Sequence, residues 1–188
     1  MTAVTNANRF QSGGIPLRVL VAVHGYEAPG WAHETCRVVS TWAGSSVRLL
    51  AVLDVPTPAF TSLTGVARRA YDAARVQWRE SEGARLQEPI DALLRGLPHD
   101  AEVERVCASR GDLALTIAEA AGAWPADVVV VGGPAPGLRS WMQPGPVHER
   151  LLRLAPCTVL VTSAPRDAAQ GARRVVSLRR PAPVEQGV

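Results

Sequence analysis

Aromatic side chains make up only 5% of this 188-residue sequence, against 47% hydrophobic residues in all, so any core has to be built mainly from Val, Leu and Ala. Cysteine is equally sparse: Cys36, Cys107 and Cys157 are odd in number, widely spaced and without a C-x-x-C pair. That excludes a disulfide framework and a thiolate zinc site, and it points to a reducing compartment. Long apolar runs are missing. None approaches the roughly 18 residues needed to cross a bilayer, and the polar start lacks the apolar centre of a signal peptide. The expectation is a soluble cytoplasmic protein with no membrane partner. A large excess of one charge is lacking too. The formal charge is +3, but Arg173, Arg174, Arg179 and Arg180 all fall near the C-terminus, and the remainder is nearly neutral. No nucleic-acid partner is therefore expected.

What is present fits one domain, long enough to bury a core without metals or crosslinks. Residues 1–15 and 164–188 show no period and are expected to be a disordered N-terminal tail and a disordered basic C-terminal tail. The folded unit is 16–163. Within it, Leu17–Val23, Val47–Val55, Glu102–Ala108, Asp127–Val131 and Cys157–Thr162 are short Val- and Leu-rich runs bounded by Gly or Pro, and they are read as strands. Three of them are apolar almost throughout, as befits a parallel sheet covered on both faces. Helix-period segments lie between them at Gly30–Trp42, Thr64–Arg95, Leu113–Ala123 and Val147–Leu154. Such strict alternation predicts an α/β fold, a doubly wound five-stranded parallel sheet with right-handed crossovers and its ligand site beyond the carboxyl ends of the strands. The second helical segment contains Pro89, which lacks a backbone donor, so a kink or break is expected there. Its Arg, Glu and Gln content suits a solvated outer face.

The stretch Val128–Val161 runs from a buried strand through a Gly/Pro-rich loop and a short helix into another strand. Loop amides and a helix N-terminus together can hold phosphate. It is not a Walker loop, because no Lys-Ser or Lys-Thr follows the glycines, and no G-x-G-x-x-G follows the first strand. The spacing instead resembles the universal stress protein family, whose nucleotide-binding members carry Gly, two residues, Gly, nine residues, Gly, then Ser or Thr. Gly132 takes the first place, Ala135 the second, Gly145 the third and Pro146 the hydroxyl position. The resemblance extends to VLVAVHGYEA at the first strand, LLAVLDVP at the second, the turn Arg110-Gly111-Asp112 and the closing APCTVLV, and so covers about Leu17–Thr162. It implies strand order 3-2-1-4-5, a homodimer through the last strand, and ATP or AMP bound between strands one and four.

Several positions depart from that pattern. The family's Asp at the end of strand one is His24, followed by Gly25, so an acceptor-only carboxylate gives way to a group that donates, accepts or titrates. Ala135 stands where glycine lets a backbone approach phosphate, and Pro146 lacks both a hydroxyl and an N–H. Losing two charge-assisted bonds at roughly 1.5–3 kcal/mol each would weaken phosphate binding by orders of magnitude. Arg139 in the loop and His148, just after Val147 in the first turn of the last helix, could replace the lost donors. Val52, at the position that lies beside adenine, is retained, as are Gly132 and Gly133. The expectation is a regulatory or stress-associated dimer that is not an enzyme, needs no cofactor, has weak or lost ATP binding and meets an unidentified protein partner. The alternative is an adenine-nucleotide or other small-ligand binder with an altered pocket. A nucleotidyltransferase is disfavoured, since His24-Gly25-Tyr26-Glu27 lacks the second histidine of an HxGH-like signature. His24 itself is expected to be a strand-end histidine hydrogen-bonded to backbone rather than a catalyst.

Overall fold

A computed structural model of the protein describes residues 16–42, 44–55, 65–98, 100–108, 112–133 and 147–163. The expected tails, 1–15 and 164–188, lie outside these residues. The elements alternate without exception: β1 (Arg18–Val23), α1 (Trp31–Val39), β2 (Ser46–Leu53), α2 (Gly65–Gly96), β3 (Glu102–Cys107), α3 (Leu113–Ala123), β4 (Val128–Gly132), α4 (Val147–Leu154) and β5 (Thr158–Thr162). The five strands form one sheet in the order β3-β2-β1-β4-β5, every pair parallel.

β1 occupies the middle and is covered from both sides, which explains why its sequence is apolar instead of alternating. Val19, Val21 and Val23 join one buried cluster with Trp31 and Val39 of α1 and Leu86, Ile90 and Leu93 of α2. Leu20 and Ala22 point the other way, into a second cluster with Leu113 and Ile117 of α3 and Leu151 of α4. Leu20, Leu49, Leu50 and Leu86 are fully buried, and truncating such a residue to Ala typically costs about 2–5 kcal/mol. Asp112 caps α3, its carboxylate accepting from the Leu115 amide at 3.1 Å.

α2 corrects one half of an expectation, the break at Pro89. It runs unbroken through Pro89 to Gly96. Proline removes only its own N–H from the helical ladder, and the helix is clamped on either side of it by Leu86, Ile90 and Leu93 against the sheet. Those three are the only buried side chains of α2. The helical turns from Gly65 to Arg85 carry a largely exposed surface that includes Val66, Val76 and Trp78, in keeping with the polar composition read from the sequence. No helix among the described residues is long and apolar enough to cross a membrane.

Candidate functional site

β1 and β4 are adjacent, but the chain leaves β1 towards β2 on one side and leaves β4 towards β5 on the other. Their carboxyl ends therefore flank the point where an open α/β sheet forms a crevice. The turn after β1 is tied to β4 there: the Ala28 amide donates to the Gly133 carbonyl at 2.8 Å, and the Gly133 amide donates to the Thr162 carbonyl of β5 at 2.6 Å.

His24 continues β1 on the same face as Leu20 and Ala22 and is only 3% exposed. Its Nδ1 accepts from the Tyr26 amide at 3.3 Å, the backbone bond expected of a strand-end histidine. Its Nε2 has no partner among the described residues. Burial is the main influence on its protonation and lowers its pKa. The Glu27 and Asp54 carboxylates oppose that effect, and Arg85 and His148 reinforce it.

Glu27 is the densest node of the site. Its side chain is 2% exposed, and its two oxygens accept from the amides of His24 at 2.7 Å and Gly25 at 2.8 Å. Hydrogen bonds to a charged group contribute about 1.5–3 kcal/mol each before desolvation of the carboxylate is counted. The stem of Glu27 lies over the last residue of β4: a Cβ on Gly132 would sit 2.4 Å from Glu27 Cγ and 2.9 Å from Trp31 Cδ2. Glycine at 132 is thus required by close approach. Glu27 Oε1 lies 3.6 Å from His24 Nδ1, too far for a hydrogen bond, so the two do not form a proton relay.

Arg85 of α2 closes the turn from outside. Its Nη1 donates to the Gly25 carbonyl at 2.7 Å and its Nη2 to the His24 carbonyl at 3.2 Å, while Glu82 holds the guanidinium at 2.5 Å. Gly25 has φ of 81°, a left-handed backbone, and a Cβ there would meet Arg85 Nη1 at 1.9 Å. The guanidinium also stacks 5.1 Å from the centre of the Tyr26 ring. The Tyr26 hydroxyl donates to Asp54, just beyond β2, at 2.7 Å. Burial first, then this bond, pushes the Tyr26 phenol up to about 12.

The structure brings His24, Gly25, Gly132, Gly133 and His148 to this one end of the sheet, and Val52 is fully buried near the end of neighbouring β2. His148 is half-buried behind Val147 in the first turn of α4, and burial lowers its pKa, which favours the neutral imidazole over a phosphate-pairing cation. Arg150, one turn into α4, forms an ion pair with Asp112. Ala135, Arg139, Gly145 and Pro146 lie outside the described residues, as does Trp141. Among the described residues no group of His, Cys, Asp or Glu is arranged to hold a metal ion. The central residues Glu27, Tyr26, Asp54 and Arg85 were not among those singled out from the sequence. Glu27 and Tyr26 had a local signal, two polar side chains in the short turn after a buried strand; Arg85, separated by 60 positions from the carbonyl it binds, had none.

Residues 17–163 match the model of the universal stress protein family. A comparison with curated proteins finds no match. Among solved structures, universal stress protein UspA from Lactobacillus plantarum is 20% identical with a TM-score of 0.51, the alignment covering 80% of this chain and 99% of that one. Hypothetical protein MJ0577, whose biochemical function was assigned from its structure, is 12% identical with a TM-score of 0.54, over 82% and 100% of the two chains. A universal stress protein family protein from Arabidopsis thaliana with AMP bound is 18% identical with a TM-score of 0.49, over 82% and 96%. The first two likenesses bear on the fold.

Proposed function

This chain belongs to the universal stress protein family, and on that premise we propose that it is a regulatory, stress-associated protein, without catalytic activity, whose hold on ATP is weak or lost and which acts through protein contacts in the cytoplasm. One observation carries the reading. The two amides at the end of β1 are engaged by the chain's own carboxylate, Glu27, and the facing carbonyls by Arg85. A turn that already holds an internal anion offers an external one little. The altered motif positions Ala135 and Pro146 argue the same way, since each removes a feature that phosphate binding uses. The test is calorimetry of the full chain with ATP, with and without magnesium, alongside native mass spectrometry of the purified protein. No nucleotide carried through purification and no heat at millimolar ATP are expected; tight, magnesium-dependent binding would overturn the reading.

A second reading, that the altered pocket still takes an adenine nucleotide or another small ligand, is favoured by the His24 Nε2, which has no partner among the described residues. On that reading Arg139 supplies the charge that the motif has lost. Arg139→Ala should then lower affinity for any phosphate-bearing ligand by about tenfold or more, and an unchanged affinity rejects that role.

A further inference from the structure

A neutral imidazole carries one proton, and its position is fixed by what each nitrogen meets. In His24 the Nδ1 atom accepts from the Tyr26 amide, so it has no proton of its own, and the proton resides on Nε2. That Nε2–H is buried and without an acceptor among the described residues. An orphaned buried donor is costly to a fold, and an acceptor brought by a ligand relieves that cost.

The surroundings narrow the kind of acceptor. Glu27 stands 3.6 Å from the same ring, and Asp54 and Glu27 both act on it electrostatically. A phosphate or carboxylate brought to this point would face two carboxylates, while Arg85, the nearby guanidinium among the described residues, is already held by Glu82. An uncharged acceptor meets no such repulsion. The half-buried Tyr26 ring lies tilted beside the imidazole, with centroids 5.8 Å apart, above the fully buried Ala22, Val52 and Val131 of the same sheet face. These surroundings suit a flat, apolar-faced molecule.

We infer that His24 is a selecting hydrogen-bond donor: the site at the end of β1 takes a planar, uncharged heterocycle that presents an oxo group to Nε2–H, and discriminates against one presenting an amino group there. The inference rests on the ligand-binding reading above and adds to it the polarity of the base. An amino group placed against Nε2–H sets donor against donor, which is the arrangement a hydrogen-bonding site rejects most strongly.

The test compares inosine with adenosine, which differ in the oxo or amino group at C6 and in the proton on the neighbouring N1 and carry no phosphate, by calorimetry on the full chain. Inosine is expected to bind at least about tenfold more tightly, and His24→Asp, which replaces the donor by an acceptor, should reverse the order. Nitrogen NMR of the wild-type imidazole supplies a readout independent of how that variant folds, with the proton expected on Nε2. Adenosine binding as well as inosine, neither nucleoside binding at millimolar concentration, or a proton found on Nδ1 would each overturn the inference. Including ATP separates the two ideas: ATP much tighter than adenosine refutes the weakened phosphate grip, whereas the order of inosine and adenosine bears on His24 alone.

Discussion

Among the described residues, four charged or titratable groups act on the His24 imidazole: Glu27 and Asp54, which favour its protonation, and Arg85 and His148, which oppose it. Burial outweighs them and lowers its pKa below the ordinary 6.5. The unfolded chain therefore binds a proton in a range where the folded chain does not. Stability contributed by neutral His24 is complete above the unfolded value and is lost as pH falls through the window beneath it. His148, also lowered, acts in the same direction. The urea midpoint should fall from about pH 8 to about pH 5, and His24→Gln should flatten part of that slope. An unaltered slope in the variant would show that the buried imidazole is not its source. At this scale the sequence was informative where chemistry is local. The backbone bond of His24 follows from its place at a strand end. The filling of the β1 turn by Glu27 depends on which way that turn folds, and the reach of Arg85 depends on the packing of a distant helix.

Among the elements, α3 and α4 keep the limits read from the sequence, and the strands differ from theirs by at most two residues at either end. The exception in kind is α2. Local propensity argues for an interruption at Pro89, and tertiary packing overrides it, because the apolar residues on both sides share one face against the sheet. The helix nevertheless lacks one ladder bond, the one an amide at position 89 would make to the Arg85 carbonyl. Pro89→Ala should restore it and raise stability by about 1–3 kcal/mol, measured by chemical denaturation. A loss of stability would mean that the proline sets a bend on which the Leu86 and Ile90 contacts depend. Arg85 stands one turn before the proline, so the same variant also reports on how firmly α2 positions its guanidinium.

For the molecule as a whole, the doubly wound parallel sheet was legible in the alternation of strands and helices, whereas its strand order, β3-β2-β1-β4-β5, was implied by the family resemblance. Assembly was not legible in that way. Among the described residues β5 ends the sheet and pairs only with β4, and its Leu160 and Val161 are half-buried. An open edge of this kind invites pairing with a second strand, and we propose a homodimer through β5. Light scattering should give twice the chain mass for the wild type and a single chain mass for Leu160→Glu; a wild-type monomer at tens of micromolar would reject the arrangement.

The buried Glu27 carboxylate bears on how such a protein would age in a cell. Proteins that rely on a bound cofactor for part of their stability unfold more readily as that cofactor runs short. Here the strand end is braced by a covalently attached anion whose local concentration never changes. If the weak hold on ATP proposed above is right, the integrity of this corner of the fold does not follow the supply of any nucleotide.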